Sequence, residues 1–230
     1  MLRDTRLARP FERHRLQRAA QQYVDHRWPV VPGARLRGDR FACDQIGCPT
    51  LTCHPALPDW QNTASLDPAR IAGWWQRANY GVLLATGHTF DVLEVAGPIG
   101  WKLAREARGP IAVARAGLPA GAAERSPRSS SPCRSTLSQR WMFFVRPDAH
   151  VLPALAEHPS VVLHRGGSWI PAPPTPLPAG TVRWLARPAE YGWEPADPLA
   201  VQRAAARLLR DDRQPRQVWQ LNRTAIPSIE

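Results

Sequence analysis

Two short apolar runs, Tyr80–Ala85 and Phe90–Val95, lie on either side of Thr86-Gly-His-Thr89. Runs of this length, rich in β-formers and bounded by turn residues, read as strands. They predict a hairpin or two adjacent core strands, and so commit the chain to a sheet. The surrounding periodicities supply the rest. Leu16, Ala19, Ala20, Tyr23 and Val24 follow the i, i+3, i+4 rhythm of a buried helical stripe within 13–26. Trp28–Pro32 reads as a short strand. Asp67-Pro68 and Asp197-Pro198 are helix starts, each with an acid to cap the first turn and a proline where no amide donor is needed. Ile71, Trp74 and Trp75 give the first of these helices its apolar face, and Val201, Ala204, Ala205 and Leu208 the second.

Further strands are expected at Gly109–Ala114, Trp141–Val145, Val161–His164, Ser168–Ala172 and Val182–Leu185, with short helices at Ile99–Ala107 and Leu152–His158. The strands 161–164 and 168–172 are joined by an Arg165-Gly-Gly167 turn. Helices and strands are interspersed without strict βαβ alternation, which favours an α+β class. With 230 residues and 43% hydrophobic residues, one sizeable core is affordable. The expected organisation is a basic extension over 1–12, a single domain over 13–210 and a polar tail over 211–230. The domain carries a long cysteine-containing loop at 33–63 and a flexible insertion at 116–139, rich in Ala, Gly, Ser, Pro and Arg.

The formal net charge is +11, and Lys102 is the only lysine. A GC-rich coding bias accounts for arginine in place of lysine, but not for the excess of base over acid. A surface that meets phosphate accounts for that excess, because guanidinium forks match phosphate oxygens. The N-terminal stretch is arginine-rich without an apolar run, which predicts no secretory signal. No stretch approaches the roughly 18 apolar residues of a membrane span. The expected setting is the cytoplasm, where disulfides are rare.

Cys43, Cys48, Cys53 and His54 place four soft or borderline donors within twelve residues, in a segment with no evident core. Zinc takes four such ligands tetrahedrally, and a closed Cys3His set would be structural. The other reading is three reduced, partly buried thiols.

Six segments, in order, resemble the N-terminal domain of bifunctional DNA primase/polymerases, the prim-pol branch of the archaeo-eukaryotic primase superfamily. They are Arg27-Trp-Pro-Val-Val-Pro32; Trp60 leading to Asp67-Pro-Ala-Arg-Ile-Ala-Gly-Trp-Trp75; Tyr80-Gly-Val-Leu-Leu-Ala-Thr-Gly87; Val92-Leu-Glu-Val-Ala-Gly97; Gly166-Gly-Ser-Trp-Ile-Pro-Ala-Pro-Pro174; and Val182-Arg-Trp-Leu185. The resemblance spans roughly residues 15–187. It implies an RRM-like sheet core with flanking helices, nucleotide and DNA as ligands, and phosphoryl transfer with Mg²⁺ or Mn²⁺. Two-metal chemistry needs metals about 4 Å apart, which an Asp-x-Asp pair on one strand face holds.

Here the acids depart from that pattern. Glu94 stands at the first position and Ala96 at the second. Asp91 is three residues from Glu94 on a strand, so it points to the opposite face. The family's strand histidine aligns with Trp141 and its later acid with Val162. Glu94 and His164 remain as candidate catalytic groups. Arg140, Arg146, Arg165 and Arg183 are candidate phosphate contacts, and Trp141 and Trp169 candidate base-stacking platforms. Trp74, Trp75 and Trp184 read as core. Three functions fit the sequence. One is a degenerate prim-pol domain that still binds nucleotide or nucleic acid. The second is an active nucleotidyltransferase using Glu94, and the third a scaffold for a protein partner.

Overall fold

The two apolar runs do form strands, yet they do not pair with each other. The computed structural model describes residues 5–115, 139–147 and 150–223, and only the backbone course of residues 5–10 and 213–223. The expected insertion therefore lies outside the described residues, save for Gln139. Tyr80–Ala85 contributes β4 (Gly81–Ala85) to a three-stranded antiparallel sheet with β1 (Val30–Gly33) and β9 (Trp169–Pro171), in the order β1-β4-β9. The second run contributes β5 (Asp91–Ala96) to a five-stranded antiparallel sheet. Its other members are β6 (Ile111–Arg115), β7 (Gln139–Val145), β8 (Val161–His164) and β12 (Arg183–Ala186), in the order β12-β6-β7-β5-β8. Local alternation fixes strand character but not the partner, so the hairpin expectation gives way to two facing sheets.

The same holds for β8 and β9, whose glycine turn also crosses from one sheet to the other. The two crossings lie side by side. Thr86 N donates to Ser168 O at 3.0 Å, and Thr86 Oγ1 donates to Arg165 O at 2.6 Å. Gly87 has φ +98°, and a Cβ there would sit 2.2 Å from Gly166 Cα. Only glycine meets both the backbone angle and the clearance.

The inner faces of the sheets enclose the larger core. Val82 and Leu84 from β4 meet Phe90, Val92, Met142 and Phe144, with Trp28 among them. Trp28 is stacked on Phe144 at 5.0 Å and tilted against Phe90 at 4.7 Å. Two helices close this core, α1 (Thr5–Asp25) through Leu16, Ala20, Tyr23 and Val24, and α3 (Pro68–Arg77) through Ile71, Trp74 and Trp75. The Asp67 cap forms as expected, accepting from Ala69 N at 2.9 Å. The short α2 (Trp60–Thr63) covers part of the outer face of the smaller sheet. The other face of the five-stranded sheet buries Leu93, Val95, Trp141 and Phe143 against α4 (Gly97–Glu106), α5 (Pro153–Ala156) and α6 (Pro198–Arg223).

Two boundaries differ from expectation. The first helix begins at Thr5, inside the expected extension, and the last continues to Arg223, through the expected tail. Both additions lie beyond the apolar stripes from which the helices were read. The result is a mixed α+β domain. Among the described residues, no helix is long and apolar enough to cross a membrane.

Gly87→Ala is expected to destabilise the fold by about 2 kcal/mol or more, combining left-handed strain with overpacking. Gly38 has φ +65° but open space around it, so Gly38→Ala is expected to cost only about 1 kcal/mol. Urea-unfolding midpoints check the ranking, and equal costs would contradict the close-packed crossing.

Candidate functional site

β5 is the strand next to the β8 edge of the larger sheet, with β7 on one side and β8 on the other, and it presents Val92, Glu94 and Ala96 on one face. Glu94 lies opposite Met142 on β7 and Val162 on β8. Arg140 faces Ala96 and His164 faces Val92, so both approach Glu94 along diagonals within cross-strand reach. Arg140 Nη1 donates to Glu94 Oε1 at 2.5 Å, and His164 Nε2 donates to Glu94 Oε2 at 3.2 Å. His164 Nδ1 in turn shares a hydrogen bond with Ser168 Oγ at 3.1 Å. Ser168 belongs to the crossing that Gly87 and Gly166 hold together.

Glu94 is only 8% exposed. Desolvation by itself would raise its pKa. The His164 hydrogen bond and the Arg140 charge outweigh that, and hold the carboxyl below the usual range. Both carboxylate oxygens are therefore engaged by protein donors.

Of the sequence candidates, Arg140 and His164 meet at Glu94; the others lie elsewhere. Trp141 pairs with Val95, is 5% exposed and packs on the opposite face against Gly100, where a Cβ would come within 2.3 Å of the indole. It is buried in the second core and offers no free ring to a base. The strand residue that faces the site is its neighbour Arg140, because successive strand residues point to opposite faces. Asp91 is on the far face, as alternation required. Val162 does lie beside Glu94, half exposed and without a donor.

Arg146 is at the other end of β7, bonded to Asp197 at 2.5 Å. Arg183 is on the edge strand β12, opposite Val113 and so on the far face. Trp169 packs with Val31, Leu83, Ala85 and Trp60 on the outer face of the smaller sheet. Arg165 follows His164 into the crossing turn. Ser168 was missed. The only sequence cue was its place four residues after His164, across a Gly-Gly turn.

A second polar feature also escaped the sequence. Arg13, Arg35, Arg37 and Arg77, from α1, β2 (Arg35–Arg37) and α3, line one cavity of about 640 Å³ together with Glu12. Arg35 is held by Asp44 at 2.7 Å, and Tyr80 also donates to Asp44. Burial, together with the Asp44 carboxylate, pushes the Tyr80 hydroxyl up to about 12. These arginines are scattered through 65 residues of chain, and no local pattern links them.

In the cysteine loop, Cys43, Cys48 and His54 bring one ligand atom each within 4.8 Å of one another, forming a group able to hold a metal ion. Cys53 is not part of it. Its side chain packs with Val31, Leu83 and Ala85, and burial pushes its thiol up to about 12. The expected Cys3His set is thus a Cys2His set, because adjacent residues Cys53 and His54 point to different sides of the loop.

The family model for the bifunctional DNA primase/polymerase N-terminal domain matches residues 20–200. The chain belongs to that family. Comparison with curated proteins and with solved structures returned no match. The matched span runs from α1 to the start of α6, so it includes both sheets and the Glu94 face.

Membership implies divalent metals beside the strand acids, and the residues present do not fit them. Among the strand residues of this face, Glu94 is the one carboxylate, and it is already paired with a guanidinium and an imidazole. Ala96, Met142 and Val162 supply no hard oxygen donor, whereas Mg²⁺ is held by carboxylates together with substrate phosphates.

The lowered pKa fixes the pH dependence. A carboxyl whose folded pKa is depressed stabilises the fold fully above its unfolded value, and that contribution is lost as pH falls through the folded one. Glu94→Gln is therefore expected to lower stability near neutrality by about 1–3 kcal/mol and to flatten the acid limb of the stability profile. Denaturant unfolding from neutral to acid pH checks this. An unchanged acid limb in Glu94→Gln would contradict the pairing.

Proposed function

We propose that the protein is a prim-pol domain that binds nucleotide or nucleic acid without carrying out metal-dependent nucleotidyl transfer. The observation that carries this reading is the Arg140–Glu94–His164 contact. In a catalytic site a strand carboxylate is available to metal, and here one oxygen is paired with a guanidinium and the other with an imidazole. Arg140 remains 53% exposed, so the mouth of the site offers positive charge.

Binding finds support in charge. The chain carries +11 overall, and four arginines converge on one cavity. Guanidinium groups arranged in this way suit phosphate oxygens, and contacts of that kind position a strand without reading its sequence. The fit to Mg²⁺ or Mn²⁺ belongs to the rival reading of an active enzyme, and no second carboxylate among the described strand residues of the Glu94 face favours it. The scaffold-only reading leaves the convergence of arginines without a role.

The test is fluorescence anisotropy with a labelled single-stranded oligonucleotide across a salt series. Affinity is expected to fall steeply with salt, and Arg37→Ala and Arg77→Ala are each expected to reduce the slope by roughly 0.7. Glu94→Gln is expected to bind at least as tightly as the parent protein, because it leaves Arg140 without its counter-charge. Absence of both oligonucleotide and nucleotide binding at low salt would overturn the proposal.

A further inference from the structure

The segment between β3 (Arg40–Ala42) and α2 contains little regular structure, and its apolar contacts lie at its two ends, Cys43 at one and Cys53, Ala56 and Leu57 at the other. Ile46 and Leu51 both face solvent. Its C-terminal end is strapped to the body, with Ala34 N donating to His54 O at 2.8 Å and Ala56 N to Pro32 O at 2.8 Å. Its N-terminal end carries Asp44, which bonds Arg35 and Tyr80. Between these ends the side chains that converge are Cys43, Cys48 and His54.

Their geometry is that of a preformed site. His54 Nδ1 donates to Thr52 O at 2.6 Å, which fixes the ring and leaves the Nε2 lone pair pointing at the sulfurs. Cys48 Sγ lies 3.6 Å from that nitrogen. Zn–S of about 2.3 Å and Zn–N of about 2.0 Å, at a tetrahedral angle, put sulfur and nitrogen about 3.5 Å apart. Two thiolates and an imidazole are donors for zinc rather than for Mg²⁺. Asp44, though adjacent to Cys43, is occupied elsewhere, and Cys53 is turned into the apolar patch under β4.

We propose that Cys43, Cys48 and His54 bind one Zn²⁺, with solvent or an exogenous group in the fourth position. The ion pins the middle of the 43–54 loop in place of a hydrophobic anchor, and two thiol protons leave as it binds. The site is independent of whether nucleic acid binds.

The full-length protein, stripped with a chelator, is titrated with Co²⁺ and then with Zn²⁺. One equivalent of Co²⁺ is expected, with a thiolate-to-cobalt charge-transfer band of two-thiolate intensity that Zn²⁺ abolishes. Cys48→Ala and His54→Ala are expected to lose stoichiometric binding, while Cys53→Ala keeps both the stoichiometry and the band. No stoichiometric metal on the unaltered protein would overturn the proposal. So would a three-thiolate band, or loss of binding in Cys53→Ala equal to that in Cys48→Ala.

Discussion

Glu94 sits on an interior strand of a five-stranded sheet, almost out of contact with water. An unpaired carboxylate in such a place costs several kcal/mol or gives up its charge. The surrounding chain is arranged so that it does neither. β7 supplies Arg140 and β8 supplies His164, which requires both strands to flank β5 in the observed register. His164 requires Ser168, Ser168 requires the crossing into the smaller sheet, and that crossing requires glycine at 87. One buried charge thus ties together three strands, a turn and the packing of two sheets.

Much of this was legible in the sequence, and the failures share a cause. Strands announced themselves through alternation, and helix starts through Asp-Pro pairs, because those signals are local. Partner choice is not local. β4 and β5 look like the arms of a hairpin, yet each buries both faces and so needs a different neighbour. Face assignment is equally unforgiving, since a shift of one residue carries a side chain across the sheet. Trp141 lies on the opposite face, and Arg140, the residue beside it, is the one on the Glu94 face. Asp91 was placed correctly, because parity within one strand needs no partner. In the cysteine loop spacing alone could not separate Cys53 from His54, whereas the apolar patch formed by Val31, Leu83 and Ala85 does.

On the proposed reading, the family's scaffold and the family's chemistry part company in this chain. The motifs that persist are those that build the fold. Arg27-Trp-Pro seats Trp28 between the sheets, the two glycine turns allow the crossings, and Asp67-Pro68 starts the helix that buries Trp75. On the Glu94 face an arginine balances the one carboxylate found among the described strand residues. Such a face remains suited to anions and ill suited to a pair of divalent cations.

The central claim, that Glu94 is a partner for Arg140 and His164 and not a metal ligand, is tested most directly by nucleotide incorporation on a primed DNA template with Mg²⁺ or Mn²⁺. The account predicts no incorporation by the parent protein above a no-enzyme control. Template-directed incorporation that disappears in Glu94→Gln would contradict it.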